Sequence, residues 1–243
     1  MERRDFMVGL GVVTVESLLS DQAIHQAGAA GNSALRVVAG IRIVDTRIAK
    51  AADKLSQSVY PRYLYNHAMR TYLFGALIGR AAGLSLDREL FFLASILHDL
   101  GLTERFMGGK PFEIEGALAA RTFLRQQGLS DPRATVVWDG IAMHPLAISQ
   151  YKRPEIKLVA SGAAADVVGA GLDTISPADR DAVLDAFPRL GFKSEFVATC
   201  AEVVRMHPAS TKGTFMRDIG ERKVTDFHPS NICDAIDHSP FSD

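Results

Sequence analysis

Asp87-Arg88-Glu89-Leu90-Phe91-Phe92-Leu93-Ala94-Ser95-Ile96-Leu97-His98-Asp99-Leu100 decides the fold class. Between Leu90 and Leu97 only Ser95 is polar, so no side of a helix built from this stretch would face water. Such a helix must be surrounded by other helices. Asp87 stands where an N-cap carboxylate or hydroxyl belongs, and Gly101 follows the last turn. The far end carries an adjacent His98 and Asp99. A carboxylate buried there loses its hydration and faces the negative end of the helix dipole. A nearby cation would relieve both penalties; otherwise His98 bonds a backbone carbonyl and Asp99 turns out to water.

Working outward, apolar residues recur every three or four positions almost throughout the chain beyond residue 34, and strand-like alternation is scarce. The spacing predicts helices over 40–56, 62–82, 87–99, 113–127, 132–143, 154–170, 177–186 and 193–206, with a short one at 230–237. Gly83 and Gly128 occupy helix C-terminal positions. Asp131-Pro132 and Ser176-Pro177 read as N-cap and first helical residue of their helices. Residues 208–228 read as an irregular closing loop. The expectation is an all-α fold, a single helical bundle over 34–243.

Residues 1–33 admit two readings. Arg3-Arg4-Asp5-Phe6-Met7, followed by a mild apolar stretch and Ala27-Gly28-Ala29, resembles a twin-arginine export signal with its cleavage site. Glu2 and Glu16 depart from that pattern, and the other reading is an amphipathic N-terminal arm. Export through that signal and a cytoplasmic location are the two corresponding expectations.

Composition narrows the function. With 27 Lys+Arg against 28 Asp+Glu, the chain carries a net charge of −1 and no field to hold a polyanionic backbone, which argues against nucleic acid. No apolar run reaches the roughly 18 residues of a membrane-spanning helix. Cys200 and Cys233 offer neither a disulfide framework nor a CxxC site. A small-molecule substrate is the expected partner, with a homo-oligomer left open.

Two further positions could join His98 and Asp99. His67 lies on a largely apolar helix face with Thr71, Phe74 and Ile78, where a histidine is more often a satisfied core residue than a ligand. Asp166 lies in Ala160-Ser161-Gly162-Ala163-Ala164-Ala165-Asp166-Val167-Val168-Gly169, a segment small enough for helices to approach closely. No cationic side chain stands beside it in sequence, so it must meet solvent, a partner or a metal. Two imidazoles and two carboxylates from separate helices make a mixed N/O donor set suited to zinc, iron or manganese. Arg70, Arg121 and Arg125 read as solvated helix faces, Trp138 and Phe91-Phe92 as core. His25, His207, His228 and His238 read as surface or helix-end residues.

The order His67 … His98-Asp99 … Asp166 resembles the signature of the HD-domain metalloproteins. Asn66-His67, His98-Asp99-Leu100-Gly101-Leu102-Thr103 and Phe112-Glu113-Ile114-Glu115-Gly116-Ala117 are similar to the cyanamide hydratase-like branch. Trp138 to His144 and Ile232 to Pro240 are similar as well, so the resemblance spans about residues 40–240. It implies an all-helical domain with one divalent metal, zinc foremost with iron or manganese as alternatives, held by His67, His98, Asp99 and Asp166. It also implies water activated by that metal and added to a small nitrile- or amide-like substrate, as in cyanamide to urea. Asp99 would hold the nucleophilic water, with Glu113 and His144 moving a proton or orienting substrate. Each has a plainer alternative: Glu113 sits early in a helix, where the dipole stabilises a carboxylate, and His144 at a helix end before Pro145. Many HD phosphohydrolases carry Lys shortly after the His-Asp pair, where this chain has Leu102. The nearest downstream cations are Arg105 and Lys110, so a phosphohydrolase is the second reading. A non-catalytic metal-binding interaction module is the third.

Overall fold

A computed structural model of the chain describes residues 36–240. Residues 1–33, on which the export-signal and arm readings fall, lie outside the described residues. Among the described residues the fold is all-α: ten helices and one two-stranded hairpin of two residues per strand.

The hairpin replaces the start of the expected 40–56 helix. β1 (Val37–Val38) pairs antiparallel with β2 (Ile41–Arg42), and Ala39 and Gly40 between them both have positive φ, 50° and 71°. That is the two-residue turn whose twist matches a hairpin, and the flanking Val, Val and Ile favour extended backbone. The first helix, α1 (Arg47–Val59), begins only after Thr46, whose hydroxyl accepts from the Ala49 amide. It is followed by α2 (Arg62–Ala81), which ends ahead of Gly83 at φ +66°.

The deciding stretch forms α3 (Arg88–Leu97). The Asp87 carboxylate accepts from the Glu89 and Leu90 amides, and every residue from Leu90 to Leu97 is buried. Phe91 and Phe92 are core, as expected, and Tyr72 packs against both rings. Gly101 does not act as a left-handed helix terminator. It lies in a short 3-10 turn, Leu100–Leu102, and a Cβ there would come within 2.0 Å of the Phe112 carbonyl oxygen. Its smallness lets this turn press against α4 (Phe112–Gln126).

Then follow α5 (Asp131–Met143) and α6 (Pro154–Val168). The expected N-cap of α5 is displaced by one residue. Ser130 occupies the cap, and Asp131 in the first turn pairs with Arg121 and Arg125 instead. The α6 helix ends at Gly169, φ +80°. The Gly/Ala segment does what its small side chains allow. A Cβ on Gly162 would lie 2.0 Å from the Thr71 carbonyl oxygen, and one on Gly75 2.5 Å from that of Leu158. So α2 and α6 cross almost backbone to backbone, which sets Asp166 directly over His67.

Next come α7 (Pro177–Ala186), capped by the Ser176 hydroxyl, and α8 (Phe192–Met206). Residues 208–228 are more ordered than expected. They hold a 3-10 turn, Pro208–Thr211, and α9 (Met216–Lys223), where Phe227 packs onto Gly220. Six of the eight α9 side chains are polar or glycine, so its apolar periodicity is faint; packing against α8 holds it. The last helix is α10 (Ile232–Asp237). Trp138 is part-buried against the core, and no helix among the described residues is long and apolar enough to cross a membrane.

Candidate metal centre

Three helices and one turn build the site. His67 comes from the middle of α2, His98 caps α3, Asp99 opens the following 3-10 turn, and His144 caps α5. All four are at least nine-tenths buried. His98 Nε2 lies 3.2 Å from His67 Nε2 and 3.3 Å from Asp99 Oδ2, while His67 Nε2 lies 3.6 Å from that oxygen. These three atoms form one compact potential metal-binding group.

Hydrogen bonding fixes which nitrogen of each ring holds the proton. His67 Nδ1 is 2.7 Å from Asp166 Oδ2, an ionised oxygen that can only accept. His98 Nδ1 is 2.8 Å from the Ser95 carbonyl and His144 Nδ1 is 2.7 Å from that of Ile141. Each Nδ1 therefore donates, which leaves each Nε2 to meet another partner. Burial pushes the His98 and His144 imidazoles down to about 3, with a neighbouring histidine adding to the effect, so both are neutral at ordinary pH. His98 thus turns the lone pair of its Nε2 toward His67 Nε2 at 3.2 Å, beside an Asp99 Oδ2 that is buried without a hydrogen-bond partner. A divalent cation would satisfy all three. Donor atoms about 2.0–2.2 Å from one centre at tetrahedral angles stand about 3.3–3.6 Å apart, which matches the triangle. The residues present fit a divalent metal.

Asp166 stands behind the triangle. Its two oxygens accept from Arg70 Nε and Nη2, both at 2.7 Å, from Arg189 Nη1 at 2.7 Å, and from His67 Nδ1. Burial would raise this carboxyl, but the hydrogen bonds from His67 and Arg70 outweigh it and hold it well below the usual carboxylate range. The reading of Arg70 as a solvated residue is overturned: its side chain is fully buried, because it neutralises Asp166 and donates to the Phe187 and Pro188 carbonyls. Arg70 is one turn beyond His67 on the same helix face, a spacing that could have revealed it. Arg189 gave no such signal, since it comes from the loop between α7 and α8. Phe192 stacks on His67 at 4.7 Å and lies under both guanidinium groups.

Glu113, in the first turn of α4, is buried but does not line the cavity described below. Neither of its oxygens has a hydrogen-bond partner, and burial pushes its carboxyl up to about 7 with a contribution from Asp99. The Asp99 carboxyl is raised as well, again chiefly by burial. The plainer alternative for the His-Asp pair is half realised. His98 does bond a backbone carbonyl, yet Asp99 turns inward and is 1% exposed.

The open side of the triangle faces a cavity of about 320 Å3, lined by His67, His98, Asp99 and His144 on one wall. Ala160, Ala163, Ala164 and Val167 of α6, with Phe196 and Phe215, make the opposite walls. No lysine or arginine lines it. Leu102 is a buried core residue, Lys110 sits beside Glu115, and Arg105 lies over Phe106, so none of these meets the cavity. His228 and His238 are exposed, as expected, and His207 ends α8.

No curated protein matches this chain. The family model for the HD domain matches residues 64–171, a span that contains His67, His98, Asp99, His144 and Asp166 together with the crossing of α2 and α6. That match, the helical architecture and the buried histidine–aspartate cluster agree with one another, and all three support the HD-domain superfamily for residues 64–171.

Proposed function

We infer that this chain carries the metal-dependent, hydrolase-type chemistry general to HD domains, which the buried His67, His98 and Asp99 cluster fits. We propose that this protein adds water to a small nitrile- or amide-like substrate, with His67, His98 and Asp99 holding one divalent ion, zinc foremost. The observation that carries the reading is the compact triangle of potential ligand atoms on the wall of a cavity without a lysine or arginine. Three protein ligands of the N2O type leave a position for water, the pattern of catalytic rather than structural zinc sites. A divalent ion held by these residues would make water a usable nucleophile at neutral pH, since such ions lower the pKa of water from 15.7 to about 7.

The chain's own groups do the rest. Asp166 fixes the ring and tautomer of His67, as carboxylates behind ligating histidines do. The ligand role that the resemblance implies for Asp166 would require its carboxylate to leave Arg70 and Arg189, and their contacts favour the positioning role. Asp99, on the cavity wall, would hold the ion through its unpartnered Oδ2 and orient the attacking water. His144 shares that wall and has Nε2 free to accept a proton and pass it on. In hydration of a nitrile, the water oxygen bonds to carbon as one C–N π bond opens and one proton reaches nitrogen, giving an imidic acid. Its tautomerisation moves the second proton to nitrogen and replaces the remaining C–N π bond by C=O, giving an amide. Glu113 lies off the cavity wall, which supports an electrostatic role toward Asp99 over direct proton transfer.

The test combines metal analysis of the purified chain with assays of cyanamide, benzonitrile and a phosphodiester, for wild type and His98→Ala. About one divalent ion per chain and hydration of a nitrile, both lost in His98→Ala, are expected. Cleavage of the phosphodiester alone would replace this reading with the phosphohydrolase one. Metal without turnover of any probe would favour the interaction module.

A further inference from the structure

The cavity opposite the metal centre says more about the substrate than the reacting group does. At about 320 Å3 it has the volume of roughly ten water molecules, at about 30 Å3 each in the liquid. A three-heavy-atom molecule such as cyanamide would leave most of that space to water. Every wall except the histidine–aspartate one is apolar: Ala160, Ala163, Ala164 and Val167 along α6, Phe196 from α8, and Phe215 beside α9. The alanines are buried or nearly so, whereas Val167 is 36% exposed and stands at the rim. An anionic group here would meet no lysine or arginine, because the nearby Arg70 and Arg189 are committed to Asp166.

Resting on the proposed function, we infer that the substrate carries an uncharged hydrocarbon body. The Ala/Val face of α6 and the rings of Phe196 and Phe215 receive that body, while its polar end reaches His98, Asp99 and His144. The small residues of α6 set how large the body can be. The same smallness that allows α6 to cross α2 therefore also leaves room for the ligand. Ala163, Val167 and Phe196 are the specificity-determining positions.

The test is a binding series on the full, metal-loaded chain, using acetamide, butanamide and hexanamide, with inorganic phosphate and phenyl phosphate as anionic comparators. Affinity is measured by calorimetry, and metal content and nitrile hydration are measured separately. Affinity is expected to rise about fourfold per added methylene until the cavity is full. Ala163→Leu fills the floor and should remove most of that gain while metal content stays at the wild-type level. Val167→Phe alters only the part-exposed rim and should weaken hexanamide more than acetamide, which keeps the question decidable if Ala163→Leu folds poorly. Equal affinity along the amide series, or tighter binding of either phosphate than of hexanamide, would overturn the inference. The two readings fail separately. Chain-length dependence without nitrile hydration would remove the reaction and leave the pocket, and hydration without chain-length dependence would do the reverse.

Discussion

The pairing of Asp166 with Arg70 should be visible as a coupling energy. Both side chains are fully buried and joined by two hydrogen bonds of 2.7 Å. Two unit charges about 4 Å apart at an effective dielectric of about 20 attract by about 4 kcal/mol. Breaking such a buried pair from one side usually costs about 3–5 kcal/mol, because the remaining charge is stranded. Asp166→Asn strands Arg70, which keeps only the Phe187 and Pro188 carbonyls, so a loss near the upper end is expected. Arg70→Met strands Asp166 less completely, since Arg189 and His67 still donate to it, and about 2–3 kcal/mol is expected. The double variant removes both charges and should lose about 2–3 kcal/mol less than the sum. Urea unfolding at pH 7 in the presence of chelator measures all four proteins without a contribution from metal. A coupling below about 0.5 kcal/mol, the range of independent sites, would refute the reasoning. The pH dependence carries the matching sign. The Asp166 carboxyl is held below its unfolded value of 3.8, so its contribution is complete above that value and lost as pH falls below it. Asp166→Asn should flatten that acid limb.

Other outcomes follow from the same geometry. Glu113 has the opposite sign. Its carboxyl is raised from 4.5 to about 7, so the neutral form's stability is whole below pH 4.5 and is lost as pH rises through 7. That shift amounts to about 3 kcal/mol at 1.36 kcal/mol per unit. In chelator, Glu113→Gln should therefore gain on wild type by up to that amount between pH 5 and pH 8; parallel stability curves would contradict it. Asp166→Asn retains an acceptor for His67 Nδ1, so its metal affinity should fall about 10- to 100-fold by competition with a chelating dye, whereas His98→Ala should bind no metal. An undetectable affinity in Asp166→Asn would instead favour direct ligation by this carboxylate. Gly162→Val should unfold the domain or cost several kcal/mol, since even a Cβ would overlap the Thr71 carbonyl, and wild-type thermal stability in that variant would contradict the crossing of α2 and α6.

Much of the helical fold was legible because local physics sets it. The all-round apolar run Leu90–Leu97 could only be a central helix, and Asp87 and Ser176 cap the helices they were expected to cap. Where the pattern misled, packing or turn chemistry had overridden it. Ala39-Gly40 closes a hairpin in a segment that reads as helical by periodicity, and α9 is polar enough to read as loop yet is held by its neighbours.

The sequence by itself determined which residue types were available. It supplied two imidazoles and two carboxylates in an order that resembles the HD signature, near-zero net charge, and a small-residue stretch around Asp166. Tertiary structure alone decided how they divide the work. The potential ligand atoms of His67, His98 and Asp99 converge to within 3.6 Å of one another, while Asp166 pairs with Arg70 and with Arg189, which comes from a loop 23 residues further on. The reason is that a buried carboxylate takes the partners that three-dimensional packing brings to it, and neither guanidinium is its neighbour in sequence. The apolar cavity has the same origin, since Phe196 and Phe215 face the alanines of α6 only after α8 and the segment before α9 fold over them.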